Sequence, residues 1–224
     1  MRTHGNPAKH ERRMRGFTLV EVMVVVAIIG VLAALSMVAF DSLGRRGALQ
    51  NAAFDMQGVL STARAQAVSR GYPMWVLLYP TGGRKEMVGG PGAFFLVEDS
   101  GGGYVRAPAG LLGMEPRGSA LVSAAYFLED YSKGVRFEAL KPGEAGQYAQ
   151  PFAALQVQTC GFCSGTPLRG AIAFFPDGSA RFVNSQGEYV FAKNQGLALS
   201  SQDRKSEYLF AIAGPTGYVA AFSH

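Results

Sequence analysis

The sequence predicts an α+β fold: a long N-terminal helix packed on a C-terminal domain of antiparallel β-sheet. Three observations predict it. Residues 17–40 form an almost unbroken apolar run. Residues 49–67 place apolar side chains at helical spacing. From Met74 onward the chain changes to short apolar runs split by Gly and Pro. A chain of 224 residues, 48% hydrophobic and only 17% charged, can bury a substantial core. This composition excludes a disordered chain and a coiled coil, and its 29 glycines lack the period of three that collagen requires.

The apolar run comes first. As a helix, its 24 residues would extend roughly 36 Å, enough to cross a hydrocarbon core of roughly 30 Å. Arg2, Lys9, Arg12, Arg13 and Arg15 precede it, opposed only by Glu11. The positive-inside bias therefore puts the N-terminus in the cytoplasm and the rest of the chain across the membrane. A cleavable secretory signal has a shorter apolar core of about 7–15 residues, and Ala34-Leu35-Ser36 is a weak cleavage site. A plain anchor does not account for Glu21, since a carboxylate within a span is costly and marks a functional position with a cationic partner.

The helix continues beyond the span. Leu49, Ala52, Ala53, Met56, Val59, Leu60, Ala63 and Ala67 fall on one face, with Asp55, Gln57, Ser61, Thr62, Arg64 and Gln66 mostly on the other. One helix over 17–69 is expected, with Gly44 and Gly47 allowing a bend and Gly71 and Pro73 ending the pattern. Expected strands lie at 74–79, 93–98, 120–128, 135–139, 152–158, 171–175, 180–183, 189–192, 208–213 and 218–222. Gly89-Gly90-Pro91-Gly92 and Gly101-Gly102-Gly103 read as loops, and neither continues into a phosphate-binding Gly-Lys-Ser/Thr. Trp75 reads as core, and the pairs Glu98-Asp99 and Glu129-Asp130 as solvated surface charge.

Little catalytic chemistry is on offer. The three histidines are His4, His10 and His224, none well placed to serve as a base. Cys160-Gly161-Phe162-Cys163 has C-x-x-C spacing. A zinc site would need about four ligands and has no second pair here. A thioredoxin-like site wants its first Cys at a helix N-terminus, which Ser164-Gly165-Thr166-Pro167 disfavours. A structural disulfide pinning a loop between strands, outside the cytoplasm, is the simplest reading. No cofactor and no metal is expected. The overall charge of +5 belongs almost wholly to residues 1–16; without them 16 Lys+Arg face 15 Asp+Glu. That balance speaks against DNA as a partner.

The order Gly16-Phe17-Thr18-Leu19-Val20-Glu21, behind a short basic leader and before a long apolar helix, resembles the processing motif of type IV prepilins and type II secretion pseudopilins. Ile172–Ala180, with its Pro176-Asp177-Gly178 turn, the closing stretch Tyr208–Val219, and Leu60–Ala67 are similar to segments of the H-type pseudopilins and T/U-type minor fimbrial pilins. The resemblance implies a leader over 1–16, cleavage between Gly16 and Phe17 by prepilin peptidase, and N-methylation of Phe17. It implies a filament-core helix over 17–40, an amphipathic continuation over 41–70 and a β domain over 71–224. Glu21 would meet the N-terminal amine of a neighbouring subunit and set register; an intrachain contact is the alternative.

The implied function is that of a minor pilin or pseudopilin. Such a subunit is not an enzyme and helps to initiate a type IV pilus or type II secretion pseudopilus near its tip. Its implied partners are other minor pilins or pseudopilins, the major subunit, the inner-membrane assembly platform and membrane lipid. Its implied location is the inner membrane, single-pass, with the β domain periplasmic, and then the filament. Some members at the extreme tip lack this Glu, and many major pilins carry a Pro in mid-helix, absent here. A DNA-uptake minor pilin and an extracytoplasmic thiol oxidoreductase are the rival readings.

Overall fold

A computed structural model describes residues 18–131, 134–140, 152, 155 and 159–223, with backbone alone for 38–43 and 45. The chain divides into two compact units, Met1–Ser42 and Leu43–His224. Helix α1 (Leu19–Arg70) begins in the first and ends in the second. Its helical pattern is unbroken at Gly44 and Gly47. In the first unit the described side chains from Thr18 to Met37 are all exposed, as an all-round apolar surface must be when the chain is alone. Leu19–Met37 has a mean hydropathy of 2.7 and is long enough to cross a membrane.

The second unit is helix on antiparallel sheet. The eight residues that fall on one face of α1 between Leu49 and Ala67 are all buried, while Phe54 and Ala65, off that face, are exposed, so the spacing in the sequence marks the packed face. The strands are β1 (Met74–Tyr79), β2 (Ala93–Glu98), β3 (Val122–Phe127), β4 (Val135–Phe137), β5 (Gly170–Phe174), β6 (Ala180–Val183), β7 (Tyr189–Val190), β8 (Asn194–Ser201), β9 (Glu207–Ala213) and β10 (Tyr218–Ser223). They form a six-stranded sheet, β3-β2-β1-β5-β6-β7, and a four-stranded sheet, β10-β9-β8-β4, with every pairing antiparallel.

The faces of both sheets contribute to one core with α1. Met74, Val76, Phe94, Ile172 and Phe182 come from the larger sheet and Leu197, Leu199, Phe210 and Ile212 from the smaller. The opposite face of the larger sheet, with Trp75, Leu77, Phe95 and Ala173, is covered by two short helices, α2 (Gly103–Arg106) and α3 (Pro108–Gly113), through Leu111 and Leu112. Coverage on both faces explains why β1 is buried at every position and reads as a continuous apolar run, not as an alternation.

Several expectations need correction. Gly103 opens a helix instead of extending a loop. Strand β8 answers to no expected strand, while the segment 152–158 is described only at Phe152 and Leu155, neither of them in a strand. Asp99 is not surface charge: it is 4% exposed. Its Oδ1 accepts the Gly103 N–H at 3.0 Å, and its Oδ2 accepts the Tyr104 N–H at 3.0 Å and Trp75 Nε1–H at 3.3 Å. A carboxylate can be buried there because three donors replace its water.

Two turns are fastened to the helix by one side chain. Phe175–Ser179 is a hairpin turn with Pro176 at its first corner and Gly178 at φ 84°. Arg64 Nε donates to Thr216 O at 3.1 Å and to Gly178 O at 3.5 Å. A Cβ on Gly217, itself at φ 58°, would run into the Gly178 carbonyl oxygen.

Candidate processing and assembly segment

The segment is built from the start of α1. Thr18 stands immediately before the helix, its Oγ1 accepting the Glu21 N–H at 3.2 Å while its carbonyl accepts the Val22 N–H at 3.2 Å. That is an N-cap, and Thr18-x-x-Glu21 has the residue order of a capping box. Glu21 also lies in the first turn, where a carboxylate complements the positive end of the helix dipole. It is exposed and makes no ion pair among the described residues. Gly16 and Phe17 lie outside the described residues. Farther along, Ser36 Oγ–H donates to Leu32 O at 2.8 Å, which satisfies the third polar side chain of the apolar stretch.

Cys160 and Cys163 are disulfide-bonded. The loop they close is a turn, with the Cys163 N–H donating to Cys160 O at 3.3 Å, and no helix starts at Cys160. Cys160 bridges to Leu197 of β8, and the Gly161 N–H donates to Gly196 O at 3.0 Å. On the other side Phe162 packs against Phe182 of β6, ring centres 5.3 Å apart. A Cβ at Gly170 would lie 3.0 Å from Phe162 and 3.1 Å from Cys163 Sγ, so the loop sits directly against β5. The loop is thus a clip from the smaller sheet to the larger one. No cluster of three or more His, Cys, Asp or Glu able to hold a metal occurs among the described residues.

Away from both features, sequence reasoning passed over a cleft beside β7, lined by Arg181, Tyr189, Phe191 and Lys193. Its one signal was an aromatic at the end of an expected strand, which says nothing of exposure. Burial raises the Tyr189 phenol above its ordinary range, and the hydroxyl donates to Val105 O at 2.8 Å. The Asp177 carboxyl is held low, chiefly by the Ser179 hydroxyl.

A capped, all-round apolar N-terminal helix ahead of a helix-on-sheet domain defines an α+β chain suited to membrane anchoring. Residues 12–37 match the family profile of the prokaryotic N-terminal methylation motif. The chain therefore carries a type IV prepilin-like signal, which implies processing by prepilin peptidase and assembly with other pilins, and points to a structural subunit in place of an enzyme. No curated protein and no solved structure matches it.

Proposed function

We propose that the chain is a minor pilin or pseudopilin of the H/T/U type, a structural subunit that helps to start a type IV pilus or a type II secretion pseudopilus near its tip. The observation that carries this reading is the methylation motif over 12–37 with Glu21 in the first turn of an apolar helix. In this reading residues 1–16 are a leader removed between Gly16 and Phe17, Phe17 is methylated, residues 17–40 enter the filament core, and 71–224 make lateral or tip contacts. The chain waits in the inner membrane with its β domain in the periplasm. There it meets the assembly platform, other minor subunits and the major subunit.

Glu21 sets register by pairing with the new amine of a neighbour. In apolar surroundings a carboxylate left unpaired is strongly penalised, so only one vertical offset is favourable. The disulfide is structural, and no observation favours the oxidoreductase or DNA readings: Cys160 has no helix behind it, and charge is near balance beyond the leader.

The test is the mass and N-terminal sequence of the chain recovered from membranes. A chain beginning at methylated Phe17 is expected; a chain starting at Met1, or cut near Ser36, overturns the reading. Glu21→Ala is expected to be cleaved at the wild-type rate and to enter filaments at least tenfold less. Incorporation at the wild-type level would remove the register role.

A further inference from the structure

We propose that the cleft beside β7 is a docking site for a segment of another protein that presents an apolar side chain next to a carboxylate. The cleft has a volume of about 630 Å³ and lies where the outer edge of the larger sheet meets the Gly214–Pro215 turn. Strand β7 is only two residues long. Directly after it the Ala192 N–H donates back to Val190 O at 3.0 Å, a tight turn about Phe191. The Phe191 side chain is fully exposed, unlike every other phenylalanine of the sheets. A ring that its own chain leaves entirely in water, at the mouth of a cleft, has the character of an interface anchor.

The charges decide what the ring would meet. Arg181 and Lys193 line the cleft, and no Asp or Glu does. Neither cation is in an ion pair among the described residues. The Arg181 guanidinium is held in place, 4.5 Å above the Phe175 ring and 6.0 Å from that of Tyr189. Asp177, whose carboxyl feels the Arg181 charge, is engaged by the Ser179 N–H at 2.9 Å and hydroxyl at 2.6 Å. A cleft with an aromatic anchor and two cations outside any ion pair is complementary to an apolar side chain flanked by carboxylate. Two-fold pairing of this face with itself would set Arg181 and Lys193 against their own copies, which disfavours a second copy of the chain. Two cations are also few for a nucleic acid, whose binding grows with the number of phosphates neutralised.

The inference does not rest on the filament reading, and its test is separate from leader cleavage. The full chain is prepared in uncharged detergent with 4-fluorophenylalanine at position 191, and its ¹⁹F resonance is followed. The probes are the peptide acetyl-Asp-Leu-Phe-Glu-amide, its counterpart acetyl-Lys-Leu-Phe-Lys-amide, phosphatidylglycerol vesicles and a 20-mer of deoxythymidine. A saturable shift is expected with the acidic peptide, at least tenfold tighter than with the basic one. The double substitution Arg181→Glu/Lys193→Glu should reverse that preference; both sites are exposed, and a thermal melt of the variant at the wild-type Tm checks that the fold is kept. Equal response to the two peptides, or none, overturns the proposal. So does a shift seen only with vesicles or oligonucleotide, or one driven by protein concentration alone.

Discussion

At the scale of single residues, the second unit relies on a few polar groups that work only because they are inside. Tyr131 follows a 3₁₀ turn (Leu128–Asp130), and its hydroxyl donates to Asp55 Oδ2 on α1. Burial, and then the Asp55 hydrogen bond, push the Tyr131 phenol far above its ordinary value of 10.0. In the unfolded chain the phenol ionises near that ordinary value, so above it the folded state holds a proton that the unfolded state has lost. The sign follows: this contribution is complete below about pH 10 and fades as pH rises further. Burial raises Tyr79 and Tyr189 in the same direction. Thermal melts of the full chain in detergent should therefore show Tm falling between about pH 9.5 and 11, and Tyr131→Phe should make that fall shallower. An unchanged slope would mean that the Tyr131 phenol is not raised in the folded chain. Asp99 is the contrasting case for reading sequence. Beside Glu98 it resembles surface charge, and only the fold reveals that two backbone N–H groups and the indole of Trp75 converge on it.

At the scale of elements, what was legible followed from punctuation and period. Strands β1, β2 and β6 have the expected bounds because Gly, Pro or a tight turn closes each run, and the buried face of α1 follows its three- and four-residue steps. Strand β8 was invisible because it opens on Asn194-Gln195-Gly196 and ends on Ser200-Ser201, residues that read as a loop. They are tolerated inside because side chains answer them: the Ser200 hydroxyl donates to Glu138 at 3.0 Å and that of Ser201 to Asp203 at 2.6 Å. Helices α2 and α3 were hidden by the Gly101–Gly103 run and by Pro108, which occupies a first-turn helix position where proline fits. The two turns fastened by Arg64 belong to this scale too. Gly217→Ala should cost about 2 kcal/mol, since the added methyl meets the Gly178 carbonyl and an L-residue is strained at φ 58°. Denaturant melts of the full chain should show that loss, and Gly58→Ala, with open space around it, should be neutral or slightly stabilising.

At the scale of the whole molecule, the second unit is two sheets that share α1 as a common wall and are clipped together by the Cys160–Cys163 loop. The disulfide closes a very short ring, so a chain-entropy estimate of its contribution is only about 2 kcal/mol. Reducing agent should lower Tm by roughly 4–8 °C. The loop itself, with Phe162 buried, is expected to stay docked, so hydrogen exchange at Gly161 should rise less than tenfold. A loss of exchange protection throughout β8 and β6 would instead make the bond the main tie between the sheets. The candidate assembly segment was legible at its motif, because the match over residues 12–37 is carried by consecutive residues. The β7 cleft was not, because Arg181 and Phe191 come together only when β6 and β7 pair.

One helix thus carries two kinds of surface. Thirteen large apolar side chains between Leu19 and Met37 have no cover within the chain. At about 1.5–3 kcal/mol for each side chain moved into water, leaving them wet would cost about 20–40 kcal/mol, more than a domain's whole folding stability. No thermally accessible state of this protein is therefore both monomeric and free in water. In the proposed filament reading, the route out of the bilayer is therefore a direct transfer, in which contacts with lipid are exchanged for contacts with other apolar helices. Departure from the membrane and entry into an assembly are then one event rather than two.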